Sequence, residues 1–164
     1  MRIVFLHGLQ SSPHGNKYQG LAATFDDVTS PDCEGVYDIE VRLEMILAHL
    51  GETPALLVGS SFGGLAAALI AHRHPELVLG MVLCAPALHR DAAIGLANLT
   101  APAVIIHGLH DAVVPIKSSR AAAFALGMPL VEVDDGHRLD ASLPLILEHT
   151  RQIQQQIIAH AAEP

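Results

Sequence analysis

Ala55-Leu56-Leu57-Val58-Gly59-Ser60-Ser61-Phe62-Gly63-Gly64 passes from four unbroken apolar residues straight into a turn of glycines and serines. An apolar run without alternation suits a strand buried on both faces, as in a parallel sheet covered by helices. The residues that follow, Gly64 to His74, are rich in Ala and Leu and stop before Pro75. They read as a helix that ends where proline disfavours helical backbone in the residue before it. Strand and helix are thus joined by Gly59–Gly63 alone. So short a turn forces the central residue, Ser61, into a backbone conformation that few residues tolerate. Gly59 and Gly63 carry no side chain, so strand and helix can approach closely there. Gly64, Ala66, Ala67 and Ala68 extend that smallness into the helix.

The same alternation runs outward in both directions. Four further short apolar runs, Ile3–Leu6, Met81–Cys84, Ala103–Ile106 and Leu130–Val133, each end near a Gly, Pro or Asp. A weaker sixth candidate is Asp27–Ser30. Between them lie helical patterns. In Asp38–Leu50 the apolar residues Ile39, Leu43, Ile46, Leu47 and Leu50 share one face, with Asp38 as N-cap and Gly51 as stop. Ile116–Leu126 ends at Gly127, and Leu143–Ala162 carries isoleucines at helical spacing. Strand alternating with helix predicts an α/β domain with a doubly wound, largely parallel sheet of six strands. No linker or repeat divides the 164 residues, so a single domain over 1–164 is expected.

Composition narrows the function. Hydrophobic residues make up 51% of the chain, enough for a packed core. Nine basic residues face seventeen acidic ones and form no cluster, which argues against nucleic acid or a basic membrane face. With no Trp, four Phe and two Tyr, stacking platforms are scarce. No apolar run approaches the roughly 20 residues of a membrane span, and the N-terminus lacks the long apolar region of a signal peptide. Cys33 and Cys84 are expected as free thiols in a reducing compartment, with a bridge as the other reading. A cytoplasmic monomer or homodimer follows as the expectation.

The loops after the strands hold the chemistry. Gly59-Ser60-Ser61-Phe62-Gly63 fits G-x-S-x-G in a strand–turn–helix setting, which projects Ser61 at the carboxyl edge of the sheet. His7-Gly8-Leu9-Gln10 follows the first strand, so the N–H groups of Leu9 and Phe62 are candidates to hold a developing oxyanion. The His7 ring itself is expected to prop that loop. A hydroxyl needs a base. Of eleven histidines, His137 stands between the last strand and the last helix, where a carboxyl-end loop can bring it over Ser61. The orienting acid should follow another strand, as Asp111 does after Ala103–Ile106. Asp134, Asp135 and Asp140 are rivals too near His137 in sequence to escape a loop-capping role. His107 parallels His7 as a strand-end His-Gly. His110 and Asp111 lack further ligands at useful spacing, so no metal and no cofactor are expected.

Ser61, Asp111 and His137, in that order at strand ends, resemble the α/β-hydrolase superfamily. His7-Gly8, the Gly59–Gly63 turn, the stretch from His107 to Pro115 and Gly136-His137 all match its recurrent patterns. The opening from His7 to Lys17 is similar to small, lid-less, YqiA-like esterases. The resemblance implies a minimal hydrolase core that lacks two N-terminal strands and a cap, since only 18 residues, Ala85 to Pro102, occupy the place of a lid. It also implies acyl-enzyme cleavage of a small ester or thioester. Gln10, Leu88, Val113 and Leu139 are the candidate pocket residues, and short acyl chains are expected in so open a site. A thioesterase or acyltransferase with the same residues, and a non-catalytic small-molecule binder on the same fold, remain alternative readings.

Overall fold

The computed structural model describes residues 1–97 and 99–162. Its strands are β1 (Ile3–Leu6), β2 (Val28–Thr29), β3 (Ala55–Ser60), β4 (Val78–Cys84), β5 (Ala103–Gly108) and β6 (Leu130–Val133). Its helices are α1 (Asn16–Thr24), α2 (Ile39–Leu50), α3 (Phe62–Arg73), α4 (Ile116–Leu126) and α5 (Leu143–Ala161). The sheet order is β2-β1-β3-β4-β5-β6, with every neighbouring pair parallel. The largely parallel sheet expected from the sequence is therefore parallel throughout.

Period-2 alternation sorts the strand residues between two faces. Val4, Leu57, Leu83 and Ile105 pack with α2, α3 and α4 through Leu43, Ile46, Leu65 and Leu126. Ile3, Val58, Val82 and Ile106 pack with α1 and α5 through Leu21, Ile146 and Ile153. Sheet residues are buried on both faces, which is why β1, β3 and β4 read as continuous apolar runs. The edge strand β6 is less buried, and Glu132 on it binds Arg120 of α4 at 2.6 and 2.8 Å. That charge guards an edge open to further pairing.

The chain leaves β1 toward one edge, to β2, then returns to β3 and steps toward the other edge. The connections after β1 and β3 therefore diverge. The carboxyl ends of strands that part in this way are the place where open α/β sheets bind ligands. The loop after β1 and the turn after β3 are the two segments whose chemistry the sequence had singled out.

Asp38 caps α2, accepting from the Val41 N–H at 3.1 Å, and Gly51 closes it with φ of 60°. Two elements differ from the sequence reading. α1 shows little apolar contrast and buries only Leu21, so periodicity gave it no signal. β4 begins at Val78, three residues before the apolar run, and there Val78 and Gly80 are buried and Leu79 half-buried.

Candidate active site

Ser61 sits between β3 and α3 with φ 55° and ψ −114°. The left-handed region costs a side chain about 1–2 kcal/mol, so neighbours must hold it there. They do so through the backbone. The Ser61 N–H donates to the Cys84 carbonyl at 2.9 Å, and the Ser61 carbonyl accepts from the N–H groups of Gly64 and Ala87 at 3.0 and 2.9 Å. The glycines matter for space. A methyl on Gly59 would lie 2.5 Å from the Gly63 carbonyl oxygen, and one on Gly63 would overlap the Leu6 carbonyl. β1, β3 and α3 thus close on one another directly beneath Ser61.

His137 reaches Ser61 from the loop after β6. Its Nε2 lies 3.1 Å from Ser61 Oγ, and its Nδ1 lies 2.7 Å from Asp111 Oδ2. The Asp111 side chain is wholly buried. Its Oδ1 accepts the N–H groups of Val113 and Val114, both at 2.8 Å. Burial alone would push the Asp111 carboxyl up. The hydrogen bonds from His137, Val114 and Val113 outweigh it and hold the group below the ordinary range. A carboxylate that stays ionised fixes the proton on Nδ1 and leaves Nε2 free to accept from the serine hydroxyl.

The Leu9 N–H makes no hydrogen bond among the described residues, and Phe62 is the first residue of α3, where an N–H has no intrahelical acceptor. Their supports are unusual. His7 is buried and neutral, because burial lowers its affinity for a proton. The Cys33 N–H donates to its Nε2 at 3.0 Å, so Nδ1 carries hydrogen and donates to the Gly8 carbonyl at 2.8 Å. Arg42, 1% exposed, donates to the carbonyls of His7 at 2.7 Å, Cys33 at 2.8 Å and Val36 at 3.3 Å. Its guanidinium also lies 5.1 Å from the centre of the Phe62 ring, whose other cationic neighbour is Arg90 at 5.3 Å. One buried cation therefore ties both candidate donor segments together. The sequence reading missed it. The signal was a charge four residues before Ile46, on the apolar stripe of α2.

The loops bearing Asp111 and His137 are laced together. The Leu109 N–H donates to the Val133 carbonyl at 2.8 Å, the His110 N–H to the Asp135 carbonyl at 3.0 Å, and His110 pairs with Asp134 at 2.6 Å. Asp135 accepts from the Gly136 N–H, the Ser142 N–H and the Ser142 hydroxyl, within 2.7–2.9 Å. Asp134 and Asp135 thus shape the loop. Asp140 accepts from Asn16, and Lys17 donates to the Arg138 carbonyl, so the start of α1 also clasps the His137 loop. Among the candidate pocket residues, Gln10 and Val113 are exposed and Leu88 is half-buried. Leu139 has no exposed surface; it packs in the core beside α5 with φ of 52°. It supports the site from within and does not face an open pocket.

A parallel α/β sheet with serine, histidine and carboxylate converging at its carboxyl edge defines a class of hydrolases. The chain belongs to the alpha/beta hydrolase fold family, which it matches over residues 9–101, more than half its length. No curated protein matches it in sequence. Solved structures do. It is similar to a protein assigned to the alpha/beta hydrolase superfamily from Xanthomonas campestris pv. campestris, with TM-score 0.82, 26% identity, and coverage of 94% of this chain and 98% of that one. It is similar in fold to Est1E of Butyrivibrio proteoclasticus, with TM-score 0.82, 20% identity, and coverage of 96% and 88%. The monoacylglycerol lipase of Paleococcus ferrophilus also shares the fold, with TM-score 0.73, 16% identity, and coverage of 92% and 94%. Among the described residues, no helix is long and apolar enough to cross a membrane.

Proposed function

We propose that the protein is a serine hydrolase that cleaves small carboxylic esters through an acyl-enzyme. The observation that carries this reading is the line of contacts from Ser61 Oγ to His137 Nε2, 3.1 Å, and from His137 Nδ1 to Asp111 Oδ2, 2.7 Å. His137 takes the Ser61 proton as Oγ bonds to the ester carbonyl carbon. The N–H groups of Leu9 and Phe62 receive the resulting oxyanion, aided by the N-terminus of α3. The tetrahedral adduct collapses, the carbon–alkoxide bond breaks, and the imidazolium returns its proton to the leaving alcohol. Water then repeats the sequence on the acyl-serine and releases the acid. Asp111 stays ionised throughout and steadies the imidazolium.

The surroundings support short acyl chains. Two clefts, of about 240 and 210 Å³, are lined by residues around Phe25 and around Leu43, and Ser61 lines neither. Around the carboxyl edge, Val113 and Leu109 are 65% and 47% exposed, and Ile94, in the short stretch after β4, is 82% exposed. Each acyl methylene adds about 0.8 kcal/mol only where a wall buries it. The test is hydrolysis of p-nitrophenyl esters from acetate to palmitate by wild type and Ser61→Ala. The proposal expects kcat/KM to rise over the first few carbons and then level off or fall, with activity lost in the variant. A steady climb to palmitate overturns the short-chain preference, and an active Ser61→Ala overturns the serine mechanism.

A further inference from the structure

His107 is the penultimate residue of β5, four residues before Asp111, and is fully buried. Its ring touches three polar groups. Nδ1 lies 2.7 Å from the Ser119 hydroxyl of α4, while Nε2 lies 3.1 Å from the Val114 carbonyl oxygen and 3.1 Å from Asp111 Oδ2. The tautomer follows from these partners. Nε2 faces two acceptors that carry no hydrogen, so Nε2 must carry it. Nδ1 of the neutral ring then accepts from Ser119, whose hydroxyl can donate. Burial keeps the ring neutral by lowering its proton affinity.

We infer that His107 is a positioning residue for Asp111: a neutral imidazole, held as the Nε2–H tautomer by the two acceptors that face Nε2, that supports the same carboxylate oxygen His137 binds. Oδ1 accepts two backbone N–H groups, Oδ2 accepts the His137 N–H at 2.7 Å, and the His107 N–H, hydrogen-bonded to the Val114 carbonyl, lies against Oδ2 with its nitrogen 3.1 Å away. His107 also binds the carbonyl of Val114, whose own N–H holds Oδ1, so it steadies Asp111 twice. The charged and titratable groups that face it are few. Asp111 comes from its own loop, His137 from the loop after β6, and Glu132 from the adjacent strand, where Glu132 is already paired with Arg120 of α4. The inference rests on the reading of Asp111 as the partner of His137.

Each donor to Asp111 drains negative charge from it and weakens its hold on the His137 imidazolium. Removing one should make His137 easier to protonate. The experiment is an NMR titration of the histidine rings in wild type, His107→Leu, His107→Gln and Ser119→Ala, with kcat/KM for p-nitrophenyl acetate and thermal melting measured beside it. In wild type, His107 should show the Nε2–H tautomer across the neutral range. His107→Leu should move the His137 titration up by about half a pH unit or more, a threefold gain in proton affinity. The Gln amide nitrogen reaches the place of Nε2, so His107→Gln should restore the wild-type titration. Ser119→Ala keeps the ring and loses the donor to Nδ1 that holds it in place. It should shift His137 the same way by less, and it serves where the Leu variant does not fold. An Nδ1–H tautomer in wild type overturns the inference, as does an unmoved His137 titration in a folded His107→Leu or Ser119→Ala. The NMR readout does not depend on turnover. An active Ser61→Ala would overturn the catalytic reading while leaving the coupling of His107 to His137 measurable on its own.

Discussion

Ser61 holds a positive φ that a side chain adopts only under constraint, and the constraint is local: two glycines, a neighbouring strand and the start of α3. Its hydroxyl adds almost nothing to packing, so Ser61→Ala should melt within a degree or two of wild type. Esterase activity should nevertheless fall by several orders of magnitude, as removal of a triad nucleophile does. Ser60→Ala, one residue away, should keep most of it. His137→Ala should resemble Ser61→Ala, and Asp111→Asn should be severe because the amide favours the wrong imidazole tautomer. Comparable rates for Asp111→Asn and wild type, with Asp134→Asn or Asp135→Asn crippled, would place the acid elsewhere. Residue types and positions made Ser61, Asp111 and His137 legible in the sequence, because each follows a buried strand. Arg42 and His107 were not legible in the same way. Their roles depend on what lies across the fold: the carbonyls of His7, Cys33 and Val36 for one, Ser119 and Asp111 for the other.

Elements meet at the glycines and at Arg42, and both can be tested. Gly63→Ala drives a methyl into the Leu6 carbonyl, with no flexible side chain able to move aside. It should cost about 3 kcal/mol or more, in the range of severe overpacking, and much of the protein should be insoluble. Gly15→Ala, whose nearest neighbour would be Ser12 O at 3.6 Å, should cost under about 1 kcal/mol. Arg42→Met would take a donor from the carbonyls of His7, Cys33 and Val36, of which Cys33 keeps the Val36 N–H at 3.2 Å. The charge's own desolvation is relieved at the same time, so a net loss of about 1–3 kcal/mol is expected. Thermal denaturation would read that as a drop of roughly 2–12 °C for a domain of this size. Activity should fall further than stability explains, because the same side chain spans the two segments bearing Leu9 and Phe62. The strands were legible because burial on both faces leaves continuous apolar runs. α1 was not, since it buries one leucine, and its first residues, Asn16 and Lys17, bind the His137 loop by contacts no periodicity records.

Across the molecule, the shifted groups give stability a definite pH profile. His7, His49 and His107 are all lowered chiefly by burial, so the unfolded chain binds protons more readily than the fold does. Stability from them is complete above about pH 6.5 and falls as pH drops through their folded values. Asp111 and Asp135 have depressed folded values and add a second loss below about pH 4. Cys33 and Cys84 act oppositely. Burial raises both thiols, Cys84 to about 11, so their contribution is present below the unfolded value and is lost as pH climbs from about 8.5 toward 11. Urea unfolding from pH 4 to 10 should therefore give a plateau near pH 7–8 with a fall on either side. A maximum at pH 5 would contradict the burial of these histidines. The catalytic claim itself is tested most directly by treating the protein with a fluorophosphonate and mapping the adduct by mass spectrometry. One adduct per chain on Ser61 is predicted, absent in Ser61→Ala and greatly slowed in His137→Ala. A folded wild-type protein that takes no label, or takes it on another residue, would contradict the account.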